Sequence, residues 1–471
     1  MKSGSVRAKM LFMNAKEDRY VKMTTTPVPK LITQLAVPTI ISMLVTGIYN
    51  TADTFFVSKI PENPTQATAA VGIVFPMMAI IQAIGFFYGH GSGNYLSRML
   101  GAGEKEKASD MASTGFVMAV LTGLIVAFIG NENIDWIARF LASEDVSATT
   151  LQMTREYGCI ILIGAPFMMA QFVINNQLRF QGSAMYAMVG LLSGAIINMA
   201  LDPLLILVMG MGVRGAAVAT VSGQIASFLI LLVGSRKGEN IRMHLRNVHI
   251  NGYYTVQIIN GGLPSLFRQG LAAISTTLLN RAAGLWGGEE AIAGMTITTR
   301  VFMLMSCALI GFGQGYQPVC SFNYGAGLTG RVKEGYWFCV KWGTIFLSAI
   351  GVVCFVFAPQ VISIFRDDPP VVAIGTVALR CQACVLPLSG FIVISNMMLQ
   401  SIGKGVKATI TASARNGLCF IPMILILPTI FGLTGVEISQ TVADVLSLFI
   451  SVPLALSEIR KWNEEIVPYE G

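Results

Sequence analysis

Long apolar stretches, separated by short polar connections, alternate along the chain from about residue 36 to residue 457. A membrane-spanning helix needs about 20 mainly apolar residues. Twelve stretches meet that length: 36–58, 66–92, 111–130, 154–177, 185–209, 215–234, 258–284, 290–316, 337–359, 372–398, 408–430 and 436–457. Inside lipid every backbone N–H and C=O needs a partner, which a helix supplies within the segment. A spanning β-barrel instead uses segments of about ten residues with alternating polarity. These stretches are far longer and do not alternate. The pattern predicts an all-α membrane protein with twelve transmembrane helices.

The pattern also repeats. Gly-His-Gly-Ser-Gly-Asn-Tyr-Leu-Ser-Arg-Met-Leu-Gly-Ala-Gly (89–103) returns as Gly-Gln-Gly-Tyr-Gln-Pro-Val-Cys-Ser-Phe-Asn-Tyr-Gly-Ala-Gly (313–327), each after the second span of its half. Asn175, Leu178 and Gly182 return as Asn396, Leu399 and Gly403. Gly212-Val-Arg-Gly215 returns as Gly432-Leu-Thr-Gly435, and Pro38 as Pro264. Six spans is an even number, so both halves enter the membrane from the same side. Parallel repeats of this kind are related by a pseudo-two-fold axis along the membrane normal. The expected layout is a cytoplasmic tail over 1–34, a six-helix bundle over 35–234, a polar, basic, flexible connection over 235–257, a second bundle over 258–458 and a tail over 459–471. Two matched bundles on such a connection predict a cleft between them and rocking about it, the plan of a transporter.

Composition supports this. Apolar residues make up 54% and charged residues 12% of the 471 positions, against about 25% charged in soluble domains. The net charge of +7 would suggest nucleic acid in a soluble protein. Here roughly two-thirds of the Lys and Arg residues fall on one side if the N-terminus is inside, which is the positive-inside asymmetry of membrane proteins. Both termini are thus expected in the cytoplasm and the chain in the cell membrane, surrounded by lipid, with no nucleic-acid partner. No cleavable leader is expected, because 1–34 is polar and basic. The eight cysteines lie in or near apolar runs, and Cys381-Gln-Ala-Cys384 lacks the strand-to-helix context of a redox motif. The three histidines are scattered, so no metal set or Ser–His pair suggests an enzyme, and no cofactor is expected.

Three acids lie deep in the spans: Asp53, Asp202 and Asp444. An ionised carboxylate there costs about 2.5–3.5 kcal/mol on insertion scales and marks a wet cavity, a paired cation or a bound proton. Asp53 and Asp202 stand equally far from the inner ends of spans 1 and 5, which puts both in the outer half of the bilayer. Asn198 shares the helix face of Asp202, and Tyr49 that of Asp53. Thr220 on span 6 lies at nearby depth. Such a set could bind a proton or a small cation such as sodium, or else serve only as a hydrogen-bond network that fixes packing. Asp444 and Arg415, on sequential spans near mid-membrane, are expected to form a structural ion pair. Arg268 and Arg300 are intramembrane without an obvious partner. Met77, Met78, Met168 and Met169 suit a flexible apolar cleft, and with Gln171, Arg268 and Arg300 they are the candidate substrate-binding residues.

Leu-Ala-Val-Pro38, Asn50-Thr-Ala-Asp53, the Gly-Ala-Gly ends of spans 2 and 8, and Asn198-Met-Ala-Leu-Asp202-Pro-Leu-Leu-Ile206 together resemble the multidrug and toxic compound extrusion (MATE) family, in its DinF-like and MepA-like branch. The resemblance covers residues 27–460. It implies two six-helix lobes in a V and antiport of organic cations or similar drugs against protons or sodium. It also implies a first-lobe ion network on Tyr49, Asp53, Asn175, Asn198, Asp202 and Thr220. The NorM-like branch carries acids in its seventh and tenth helices, and this chain has none there. The expectation is a monomeric multidrug exporter tied to antibiotic resistance. A lipid-linked oligosaccharide flippase is the alternative, kept open by Arg268, Arg300 and Arg415.

Overall fold

Backbone that meets no water is stable as helix, and each apolar stretch is helical. The protein, in the form of a computed structural model, is described over residues 19–61, 63–142 and 146–464, with all side chains there except those of 48–55 and 463–464. In chain order the helices are α1 Val28–Val57, α2 Pro64–Gly101, α3 Lys105–Glu132, α4 Ile134–Leu141, α5 Ala148–Phe180, α6 Ala184–Pro203, α7 Gly212–Ser235, α8 Gly252–Gly325, α9 Thr329–Val356, α10 Ala358–Phe365, α11 Pro369–Ser401, α12 Gly405–Ser413, α13 Phe420–Phe431 and α14 Leu433–Glu464. Wide π turns, Leu204–Val208 and Ala414–Leu418, continue α6 and join α12 to α13.

Eleven helical segments among the described residues are long and apolar enough to cross a membrane. One of them, α8, has 74 residues. At about 1.5 Å per residue it would reach roughly 110 Å, more than three times the hydrocarbon thickness. It folds back instead. Gly288 has φ 66° and ψ −157°, a conformation open to glycine and closed to side chains. Gly284 then lies against Ile292. The two arms, 252–287 and 289–325, are the seventh and eighth crossings, so the chain crosses twelve times. The fold-back falls in the gap between the apolar stretches 258–284 and 290–316, as expected for two separate spans.

The repeat is visible in backbone contacts. Where α2 and the second arm of α8 cross, a Cβ on Gly101 would strike the Phe322 carbonyl, and one on Gly325 the Arg98 carbonyl. Ser97 Oγ donates to the Pro318 carbonyl at 3.4 Å, and Ser321 Oγ donates to Asn94 Oδ1 at 3.2 Å. Each contact is the other's counterpart under the repeat. Small residues permit such close approach of membrane helices. Further along the same faces, Gly91 meets Ile258 on the first arm of α8, while Gly311 and Gly315 meet Ile40 and Ala36 on α1. The two halves are therefore joined backbone to backbone at the ends of α2 and α8. Past its apolar part, α2 continues to Gly101, and this polar extension is packed against protein.

The connection between the halves is held in place, contrary to the flexible stretch expected from its polar sequence. The Ile241 N–H donates to Gln181 Oε1 at 2.6 Å, the His244 N–H to Ser113 Oγ at 3.1 Å and the His249 N–H to Thr114 Oγ1 at 3.0 Å. Polar sequence here means hydrogen-bonded to the ends of α3 and α5. Ahead of α1, Arg19 donates to the Glu239 carbonyl and Asn240 Oδ1, both at 3.0 Å, and Arg331 donates to the Thr26 carbonyl at 2.6 Å. Residues 19–27 thus tie the connection to the second half.

In the second half, the π turn carries Arg415 onto α14. Its Nε donates to Asp444 Oδ1 at 2.9 Å and its Nη2 to Oδ2 at 3.2 Å. Gln440 Nε2 adds a donor to Oδ1 at 2.8 Å, and the guanidinium lies over the Phe302 ring at 4.6 Å. The wide turn frees the Asn416 carbonyl, and Ser275 Oγ donates to it. Two outcomes test these contacts. Gly325→Val should destabilise the protein by at least about 2 kcal/mol. Gly330→Val, where nothing stands near the new Cβ, should change stability by less than about 0.5 kcal/mol; thermal unfolding in micelles reads both. Arg415→Met strands the buried Asp444 and should cost about 3–5 kcal/mol, most of it recovered in Arg415→Met/Asp444→Leu, as read by denaturant titration.

Candidate functional site

Asp202 is the residue before Pro203, which closes α6. Proline has no N–H to give the helix and crowds the preceding turn, and the chain widens into the π turn directly afterwards. Across from it, α6 and α7 touch through glycine: a Cβ on Gly194 would lie 2.7 Å from the Gly223 carbonyl, and one on Gly215 2.9 Å from the Leu205 carbonyl. That proximity brings Asn198 Nδ2 to Thr220 Oγ1, at the long limit of 3.5 Å. Asp202 stands one turn further along the Asn198 face. It is fully buried, and Asn198 and Thr220 are nearly so, at 3% and 4% exposure. The apolar wall includes Ile206, Val213, Ala216 and Ala217.

The described part of this site offers a carboxylate, an amide and a hydroxyl. The Asn198 Oδ1 atom is buried and accepts no hydrogen bond from the described residues. An all-oxygen set of this kind fits a hard cation such as sodium, and a buried carboxylate equally takes a proton. The side chains of Tyr49 and Asp53 lie outside the described residues. Asn175 sits at another level. Its Nδ2 donates to the Ala187 carbonyl at 2.9 Å, about 22 Å along α6 from Asp202 at about 1.5 Å per residue. Its repeat counterpart Asn396 makes the same bond, to the Ala408 carbonyl at 2.6 Å. The pair of asparagines thus pins one helix to the next in both halves.

Three of the four methionines expected to line an open cleft are interior, and Met78 is half-buried. Met168 and Met169 are fully buried and Met77 is 8% exposed, all three packed with Ile161, Leu162 and Val173 inside the first bundle. The reason is that α5 is enclosed by α2, α3 and α7, so most of its faces are interior. Gln171 is buried with its Oε1 unbonded. Arg300 is exposed. Arg268 Nη1 donates to Asn396 Oδ1 at 3.4 Å.

Some buried polar groups had no signal in the sequence. Arg98 and Arg179 read as charges of inner connections, yet they are 8% and 2% exposed. Arg98 Nη1 donates to the Ser401 carbonyl at 2.9 Å, across the two halves and onto the C-terminus of α11. Arg179 Nη1 donates to Gln314 Oε1 at 2.5 Å, also across the halves, and its Nη2 reaches His90 Nε2 at 3.3 Å and Asn176 Oδ1. Glu437, past the Gly432 turn that opens α14, is 5% exposed. The repeat register was the available clue for one set: His90 and Gln314 are counterparts in the two glycine-rich segments, and both meet Arg179.

The comparisons with known proteins agree with this architecture. The MatE family model matches residues 38–204 and 264–426, one stretch in each half. Multidrug export protein MepA of Staphylococcus haemolyticus is 28% identical over 433 residues, covering 91% of this chain and 93% of that protein. MepA of Staphylococcus aureus is 27% identical over 434 residues, covering 91% and 94%. The outward-facing conformation of a multidrug resistance MATE family transporter of the MOP superfamily superposes with a TM-score of 0.87 at 26% identity, covering 94% of this chain and 98% of that one. A crystal structure of MATE in complex with MaL6 gives 0.87 at 26% identity, covering 94% and 99%. With twelve crossings, a repeat running through both halves and a family model spanning well over half its length, the chain belongs to the MATE family of membrane transporters.

Proposed function

We propose that the protein is a secondary active multidrug exporter, moving drug-like organic compounds out of the cell in exchange for protons or sodium ions. The observation that carries the reading is Asp202: a carboxylate fully buried in a membrane-spanning bundle, one turn from Asn198, whose amide reaches Thr220 on the next helix. Keeping an acid at that depth is costly, and an exporter repays it by using the group to bind and release its driving ion. The likeness over nearly full length to proteins named multidrug export protein supports the cargo class.

The cycle follows from linkage. Binding of the ion at Asp202, with Asp53 on α1 as its partner, neutralises charge and repacks the first bundle. An ion can shift the two-state balance only by its differential affinity for the two states. Loading from outside favours release of the drug there, and loss of the ion to the cytoplasm restores the drug site. The halves alternate access by parting at the glycine crossing of α2 and α8 and closing at the opposite end. The N- and C-termini both face the cytoplasm, where most basic residues gather. The flippase alternative draws on three arginines, and one of these, Arg415, is committed to Asp444.

The test uses purified protein in proteoliposomes loaded with a cationic dye, with a proton gradient and a sodium gradient imposed separately. One gradient should drive dye export. Asp202→Asn and Asp53→Asn should each lower the driven rate at least about 100-fold, to the leak level, because no ion site of lower affinity replaces the carboxylate. Thermal stability should stay at or above that of the parent. Driven export at the parent rate in both variants would overturn the assignment.

A further inference from the structure

At the crossing of the two halves lies a set of cationic side chains that the ion site does not use. Arg179 extends from the end of α5 and is 2% exposed. His90 on α2 is fully buried, with Nδ1 against the Phe86 carbonyl at 3.2 Å. That contact makes Nδ1 the donor, which leaves Nε2 to accept from Arg179 and keeps the ring neutral. Arg268, on the first arm of α8, reaches Asn396, and the neighbouring Met397 lies against Gly313, beside the Gln314 that accepts from Arg179. The acceptors are all neutral: Gln314 and Asn176 for Arg179, Asn396 for Arg268. None of the ion pairs among the described residues includes either arginine. The Nε of Arg179 is buried and donates to nothing. A cavity of about 10 Å³, lined by Thr39, Ser42, Asn175 and Arg179 among others, adjoins it.

A buried guanidinium without a carboxylate, as at Arg179, is expensive, and membrane charges normally sit with a partner. We propose that Arg179 and Arg268 form an anion subsite on the facing walls of the cleft that opens when the halves part at this crossing, where it receives the carboxylate of an amphipathic, drug-sized substrate. The inference rests on the exporter reading and refines it: it assigns the two side chains that hold the acid group of a cargo molecule. The closed crossing has room beside Arg179 for about one water, not a carboxylate. Parting the halves breaks the bond from Arg179 to Gln314 and presents the fork of a guanidinium, whose geometry matches a carboxylate in two parallel hydrogen bonds. Arg268, partly exposed already, faces the same group from the other half. The carboxylate then replaces neutral acceptors with a charged one, and the aromatic body of the substrate lies on the apolar walls.

The experiment compares two dyes that differ only at the acid: a rhodamine bearing a free benzoate and the methyl ester of the same dye. Binding to the full-length protein in nanodiscs is followed by fluorescence polarisation. Arg268→Gln should weaken binding of the acid about ten-fold or more, the loss expected for one charge-assisted contact, and leave the ester within about two-fold. Arg268→Lys should recover part of the loss. Arg179→Gln should behave in the same way, and Arg268→Gln keeps the test open if that variant fails to fold. Equal losses for both dyes, or none for either, would overturn the proposal. So would stabilisation of the parent but not of the variant by acetate alone while the dyes show no difference, since the site would then serve free anions. Gradient-driven export of the ester dye is measured alongside. Its absence would defeat the exporter reading without touching the comparison of acid and ester.

Discussion

Two helices in equivalent positions of the two halves cross where neither can carry a side chain. At Gly101 and Gly325 each backbone lies against a carbonyl of the other, and this approach sets how everything else is placed. It brings the polar ends of α2 and α8 out of lipid and into protein. It lets Ser97 and Ser321 bond across the axis, and it puts Arg98 within reach of the Ser401 carbonyl. Bilayer hydrocarbon gives no hydrophobic drive for helices to associate, so close packing and interhelical hydrogen bonds hold such a crossing together. Contacts of that kind can be remade in a second arrangement, because they do not depend on one large apolar interface.

The same economy explains the division of labour between the halves. Both contain the asparagine that ties one span to the next, Asn175 and Asn396. The first half adds a buried acid at Asp202 beside Asn198 and Thr220. The second half spends its buried acid, Asp444, on Arg415. One carboxylate stands one turn from an amide that reaches a hydroxyl on the next helix. The other accepts from a guanidinium and an amide.

Much of this was legible in the order of residues. Twelve apolar stretches, their repeat and the Asn198-to-Asp202 spacing follow from helix geometry and from the cost of charge in lipid. Residues whose meaning depends on contacts between distant segments were not. Arg98 and Arg179 follow apolar stretches as loop charges do, and only the crossing of α2 and α8 buries them. Met168 and Met169 read as cleft-lining, but α5 is surrounded on its own side and its methionines fill that interior. The linker reads as flexible because its partners, Gln181, Ser113 and Thr114, are far away in sequence. The turn between the seventh and eighth crossings was legible as the gap between two apolar stretches, but that Gly288, one glycine among 48, makes it with a positive φ was not.

The account stands on the glycine crossing being a seal that opens. The most direct measurement is double electron–electron resonance between spin labels at Glu106 and Glu334, exposed positions just beyond the two ends that meet, in a cysteine-free version of the full chain in nanodiscs. Two distance populations should be present, with the longer one gaining weight when an exported dye is added and losing it when the driving ion is supplied. A single distance, unchanged by dye, pH or sodium, would contradict it.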